Sequence, residues 1–141
     1  MEERRRALRK PVEVQVRAAL AVALLGIAVP GAACELPAGG HFVDAPRYSL
    51  SYRTQPPRIA IGEHFAVDFS VCGKDGRPAP SAATVDAWMP AHKHGMNYRV
   101  EVKSYGNGRF YAQGLMFHMP GLWQFRFEVE GERLVDNVTI E

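Results

Sequence analysis

Beyond residue 47 the apolar side chains fall on alternate positions. Tyr48, Leu50 and Tyr52 alternate with Ser49, Ser51 and Arg53; Phe65, Val67, Phe69 and Val71 alternate with Ala66, Asp68 and Ser70. Val85, Ala87 and Met89 repeat the spacing, as do Tyr98, Val100 and Val102, and then Trp123, Phe125, Phe127 and Val129. Phe110 and Ala112 lead to Leu115 and Phe117, and Leu134 to Ile140 closes the chain. A period of two puts one side of a strand against a core and the other in water. No long run with helical spacing follows residue 33. Seven short strands in about 100 residues predict an all-β, seven-stranded immunoglobulin-like sandwich over residues 34–141, with a small open barrel as the alternative.

Turn residues separate these runs. Pro56-Pro57 follows the first, and Lys74-Asp75-Gly76 with Pro78 and Pro80 follows the second. Gly106-Asn107-Gly108 and Gly131 mark tight hairpins, because glycine and asparagine tolerate positive φ. Met119-Pro120-Gly121 fits a type II turn. The apolar phase shifts from even to odd numbers across Gly114, which predicts a β-bulge there.

Ahead of the strands lies a different pattern. Residues 1–17 are Arg-rich and polar, Ala18–Val29 is a 12-residue uncharged apolar run, and Pro30-Gly31-Ala32-Ala33 follows. A positive segment, a short apolar segment and small residues describe an export signal over residues 1–33. The run falls short of the roughly 20 residues that a spanning helix needs. The expected location is therefore the periplasm or the exterior. Charge is unequally divided: six of the 17 Lys/Arg and three of the 15 Asp/Glu lie in residues 1–33, leaving 11 and 12 beyond them. The basic pI of about 8.7 thus belongs to the leader, and gives no reason to expect nucleic-acid binding by the body.

Two cysteines are present, Cys34 and Cys72. An isolated pair in an oxidising compartment is read as a disulfide. The competing reading is a lipidated Cys34 with a free, buried Cys72. Gly31 stands where a lipoprotein signal wants a Leu-like residue, which favours ordinary cleavage. Membrane contact is expected only through the leader or through a lipidated Cys34.

The residues with distinctive chemistry are clustered. Four of the five Met (Met89, Met96, Met116, Met119) and three of the five His (His92, His94, His118) fall within residues 89–119. They form two motifs, Trp88-Met89-Pro90-Ala91-His92-Lys93-His94-Gly95-Met96 and Phe117-His118-Met119-Pro120-Gly121. Two strand reversals separate the motifs, so both should lie at one end of the sandwich. In an extended loop, His92, His94 and Met96 share one side. Imidazole and thioether suit soft or borderline metals, thioether selecting Cu(I). His92, His94, Met96, His118 and Met119 are therefore candidate ligands for copper. Neutral imidazole is needed, so binding should weaken as pH falls toward about 6. With no cysteine near the motifs, a blue-copper centre is not expected. Set against this, Met119 shares the inward parity of Leu115 and Phe117 and is also readable as core. Met89 reads as core and Met116 as lying outside the site. His41 and His64 read as surface residues.

At these residues the chain resembles the YtkA-like/FixH-like family of small exported immunoglobulin-like domains. The matching stretches are residues 87–98 and 108–129. FixH-like members are linked to assembly of copper-containing respiratory oxidases, so the resemblance implies copper handling by the His/Met loop. It also implies delivery to a copper-dependent envelope protein. FixH-like proteins usually keep a membrane helix, and this chain has a short leader in its place. A different reading is a metal-free interaction module, with Trp88 and Trp123 as surface anchors. No enzyme is expected, since no G-x-S-x-G, phosphate-binding loop or HExxH occurs. Asn137-Val138-Thr139 matches a glycosylation sequon, a short motif that often arises by chance.

Overall fold

The alternating segments become nine strands in two antiparallel sheets. A computed structural model describes residues 34–141, and the expected export segment, residues 1–33, lies outside the described residues. The strands are β1 (His41–Asp44), β2 (Tyr48–Gln55), β3 (His64–Gly73), β4 (Thr84–Met89), β5 (His94–Gly95), β6 (Glu101–Gly106), β7 (Arg109–Met116), β8 (Gly121–Val129) and β9 (Glu132–Ile140). One sheet has the order β1-β2-β3-β7-β6 and the other β5-β4-β8-β9. The described residues thus form an immunoglobulin-like sandwich. Among the described residues no helix is long and apolar enough to cross a membrane.

Two of the nine strands have no counterpart among the seven expected. β1 buries only Val43, and β5 is two residues long. Neither carries enough alternating apolar residues to show a period. The expected strand at Tyr98–Val102 also starts late, at Glu101. β5 belongs to one sheet and β6 to the other, so residues 96–100 are needed to cross between them.

The inward positions are those that the alternation marks, except in the run Tyr98, Val100 and Val102, where Tyr98 is exposed and the two valines are only partly buried. Tyr48, Leu50, Tyr52, Val67, Phe69, Phe110, Leu115, Phe117, Trp123, Phe125 and Phe127 are all buried between the sheets. Each such side chain contributes about 1.5–3 kcal/mol on leaving water. The aromatic rings pack both within a sheet and between the two sheets. Phe69 stacks on Phe110 with centroids 5.1 Å apart, and Tyr52 meets Phe125 edge-on at 5.3 Å.

Local chemistry sets the register. Asn107 and Gly108 (φ 52° and 73°) turn β6 into β7, as a tight hairpin with two positive φ values requires. Gly114 has φ 90°, and the β3–β7 pairing shifts there: Phe65 faces Leu115 while Val67 faces Ala112. The extra residue is the expected bulge, and it moves the inward phase from Ala112 to Leu115 and Phe117. A Cβ on Gly114 would come within 2.7 Å of the Arg99 carbonyl oxygen.

Polar ties join the sheets. The Tyr48 hydroxyl donates to Glu130 Oε2 (2.6 Å) and the Tyr52 hydroxyl to Asp136 Oδ2 (2.8 Å). His41 Nδ1 lies 3.3 Å from the same Asp136 oxygen, and its ring stacks on Tyr52. Cys34 and Cys72 form a disulfide, with Cα atoms 5.5 Å apart. A sulfur in that bond is not available for a lipid. The bridge holds the segment before β1 against the outer side of the first sheet, where Ser51 Oγ donates to the Pro37 carbonyl (3.0 Å).

Two outcomes are expected. Replacing both cysteines (Cys34→Ser with Cys72→Ser) frees a loop of 38 residues and should cost about 3–4 kcal/mol in the chain-entropy view, read from the shift in urea midpoint. Burial, then the hydrogen bond to Asp136, raises the Tyr52 pKa well above the ordinary tyrosine value. Above about pH 10 the unfolded chain therefore releases a proton that the folded chain keeps, and stability falls by about 1.4 kcal/mol per pH unit from this group. Tyr52→Phe should flatten the alkaline limb of a stability–pH curve.

Candidate functional site

The Met-Pro-Ala-His-Lys-His segment is not an extended loop. It forms a hairpin in which Met89 pairs with His94 and Trp88 with Gly95. The chain turns through Pro90–Lys93, with the His92 N–H on the Met89 carbonyl (3.3 Å) and Lys93 at φ 52°. The parity argument for His92 and His94 therefore fails, because a turn separates them. A different rule places His94. Residues opposite each other on paired antiparallel strands share a face, and Met89 faces the core at 1% exposure. His94 is thereby turned inward. β8 lies on the other side of β4, with Trp88 opposite Gln124. One position further in that register sets Trp123 beside Met89, so His94, Met89 and Trp123 form one inward row across three strands.

The second motif is held at two backbone points. It connects β7 in one sheet to β8 in the other. Gly62 N–H donates to the Phe117 carbonyl (2.8 Å), and Trp123 Nε1–H donates to the Met119 carbonyl (3.0 Å). His118 lies between these two anchored carbonyls. Phe117 is buried and stacks on Trp123 with centroids 4.7 Å apart. Met89 backs the same corner, for a Cβ on Gly121 would lie 3.2 Å from Met89 Cε.

The two motifs meet. His94 and His118 have ring centroids 5.1 Å apart, and His92 and His94 are 5.7 Å apart. Both His94 (5.9 Å) and His118 (5.4 Å) meet the Trp123 indole edge-on. Met96 and Met119 are partly buried and pack against the core. His92 is exposed on the turn, whereas His94 and His118 are half-buried. Of the remaining candidates, Met89 is core. Met116 pairs with His64 on β3, and the His64 ring meets Tyr98. Trp123 is fully buried and cannot anchor a surface partner; Trp88 is half-buried, with the Arg126 guanidinium 4.8 Å from its ring.

Donor chemistry is set by the hydrogen bonds. His94 Nδ1 lies 3.1 Å from the Gly95 carbonyl. A carbonyl only accepts, so Nδ1 carries the proton and the lone pair of the neutral ring is on Nε2. An imidazole fixed in this way is typical of a metal ligand. His118 Nδ1 is buried and has no hydrogen-bond partner. Leaving such an atom unpaired costs about 1–3 kcal/mol and calls for an explanation, an ion among them. Among the described residues no three His, Cys, Asp or Glu side chains come together so as to hold one ion. A site here would therefore combine the two inner imidazoles with thioether sulfur, and Met96 and Met119 are the thioethers that flank them in sequence.

Sequence reasoning found these residues but not what positions them. The hairpin pairing of His94 with Met89 had one signal, the Pro90 turn residue. The Trp123 bond to Met119 and the Gly62 bond to Phe117 had none, since both join residues by backbone carbonyls.

Fold and site together define a small immunoglobulin-like sandwich with a His/Met cluster at one end. The chain belongs to the YtkA-like family, whose model matches residues 49–128. No curated protein matches it. Among solved structures it is similar to the Lin-41 filamin domain, at 12% identity and a TM-score of 0.49, over 72% of this chain and 98% of that one.

Trp123→Phe keeps an aromatic ring but removes the donor to Met119. It is expected to lower stability by about 1–3 kcal/mol through the lost hydrogen bond and the smaller ring, measured by chemical denaturation.

Proposed function

We propose that this protein binds Cu(I) as cargo at the end of the sandwich, through His94 and His118 with thioether support from Met96 and Met119. The observation that carries the reading is the buried, unpartnered His118 Nδ1, in a ring whose centroid lies 5.1 Å from that of His94. Two imidazoles with thioethers adjacent in sequence would make a soft donor set, and such sets favour Cu(I) over hard cations. Nothing in the site supplies a carboxylate cage for Ca²⁺ or Mg²⁺. The apolar surroundings of Phe117, Trp123 and Met89 limit water around the bound ion.

The protein is, on this reading, exported. The Cys34–Cys72 disulfide supports that, because such bonds persist in oxidising compartments. Delivery to a copper-dependent envelope protein is the role that fits a small carrier with a site near its surface. The chemistry of such a role is ligand exchange, with no catalytic group required.

Titration of the purified protein with Cu(I) against a competing chelator tests the reading. The wild type should compete, and a His94→Ala/His118→Ala double variant should bind about 100-fold more weakly or worse, equivalent to about 2.8 kcal/mol. Equal affinity in the two proteins would overturn the assignment. A folded wild type that never competes for Cu(I), yet captures a protein partner in the presence of chelator, would favour a metal-free interaction module.

A further inference from the structure

We propose that His92 is a capture residue: it takes the incoming ion from solvent and passes it inward, without belonging to the set that holds the ion at equilibrium. This rests on the copper-binding reading above and adds an order of events to it.

Exposure falls along the three rings. His92 stands exposed on the turn, His94 is half-buried, and the Nδ1 atom of His118 has no solvent access. An ion approaching from water meets the His92 ring first.

The spacing allows the transfer. An imidazole nitrogen binds an ion at about 2.0 Å and lies about 1.1 Å from its ring centre, so two rings sharing one ion have centroids at most about 6.2 Å apart. His92–His94 at 5.7 Å and His94–His118 at 5.1 Å both satisfy that limit. All three together do not form a closed set, since no three such side chains come together among the described residues. His94 belongs to both pairs. The ion can therefore change partners without leaving His94: the bond to His118 Nδ1 forms as the bond to His92 breaks, while His94 Nε2 stays attached. Imidazole lone pairs supply every bond. The ion keeps its oxidation state, and with both rings neutral no proton moves.

A residue used only on the way in changes the loading and release rates by the same factor and leaves their ratio alone. A residue of the final set changes the ratio. Stopped-flow transfer of Cu(I) between the purified protein and a coloured Cu(I) chelator, in both directions, separates these roles. His92→Ala should slow both directions about tenfold with the equilibrium affinity unchanged, whereas His94→Ala should weaken the affinity itself. His92→Met should restore the rates, because a thioether also takes Cu(I); a merely structural role in the turn would not be rescued in this way. Loss of affinity in His92→Ala comparable to that in His94→Ala would overturn the proposal and make His92 a ligand. Unchanged rates would overturn it and make His92 a bystander. If the wild type takes up no Cu(I), the functional reading falls first and this inference with it.

Discussion

The Trp123 indole occupies the place where both sheets and the connection between them have to be reconciled. Its ring fills the end of the core against Phe117, and its N–H ties down the Met119 carbonyl. A buried indole needs a partner for that N–H, and the carbonyl it selects belongs to the segment carrying His118. The hydrophobic demand of the core and the placement of a candidate ligand are thus met by one side chain. His94 meets the same ring edge-on from β5. Of the four candidate residues only His94 lies in a strand; Met96, His118 and Met119 are in the connections.

This arrangement explains how a short connection can hold a buried polar atom at a cost. Phe117 and Met119 flank His118, and the carbonyl of each accepts a hydrogen bond from another element. Its backbone neighbours on both sides are therefore held, and the His118 ring packs edge-on against Trp123. On the copper-binding reading, an unsatisfied donor atom whose backbone is held on both sides would be a form of preorganisation.

The far side of the molecule is stabilised by other means. Tyr48 and Tyr52 reach from β2 to acidic residues at the β8–β9 hairpin and on β9, and the disulfide fastens the segment before β1. Among the described residues, no ion pair involves His92, His94 or His118.

Alternation alone was enough to decide the class of fold, because a two-residue period exposes one side of each strand and buries the other whatever the neighbouring strand is. The same logic located the Gly114 bulge, since a phase shift in burial can be accommodated only by an extra residue. The candidate ligands were also readable, as an uneven distribution of His and Met. What the sequence could not decide was orientation. His94 faces inward because it pairs with Met89, and pairing is a relation between strands that no periodicity in β5, two residues long, can report. His92 and His94 differ in exposure because a turn lies between them, where linear parity suggested equality. The backbone on either side of His118 is held by Gly62, distant in sequence, and by Trp123, on the next strand. Composition determines which donors exist; only the closed sandwich determines which of them look at one another, since that depends on hydrogen bonds between segments that meet solely on folding.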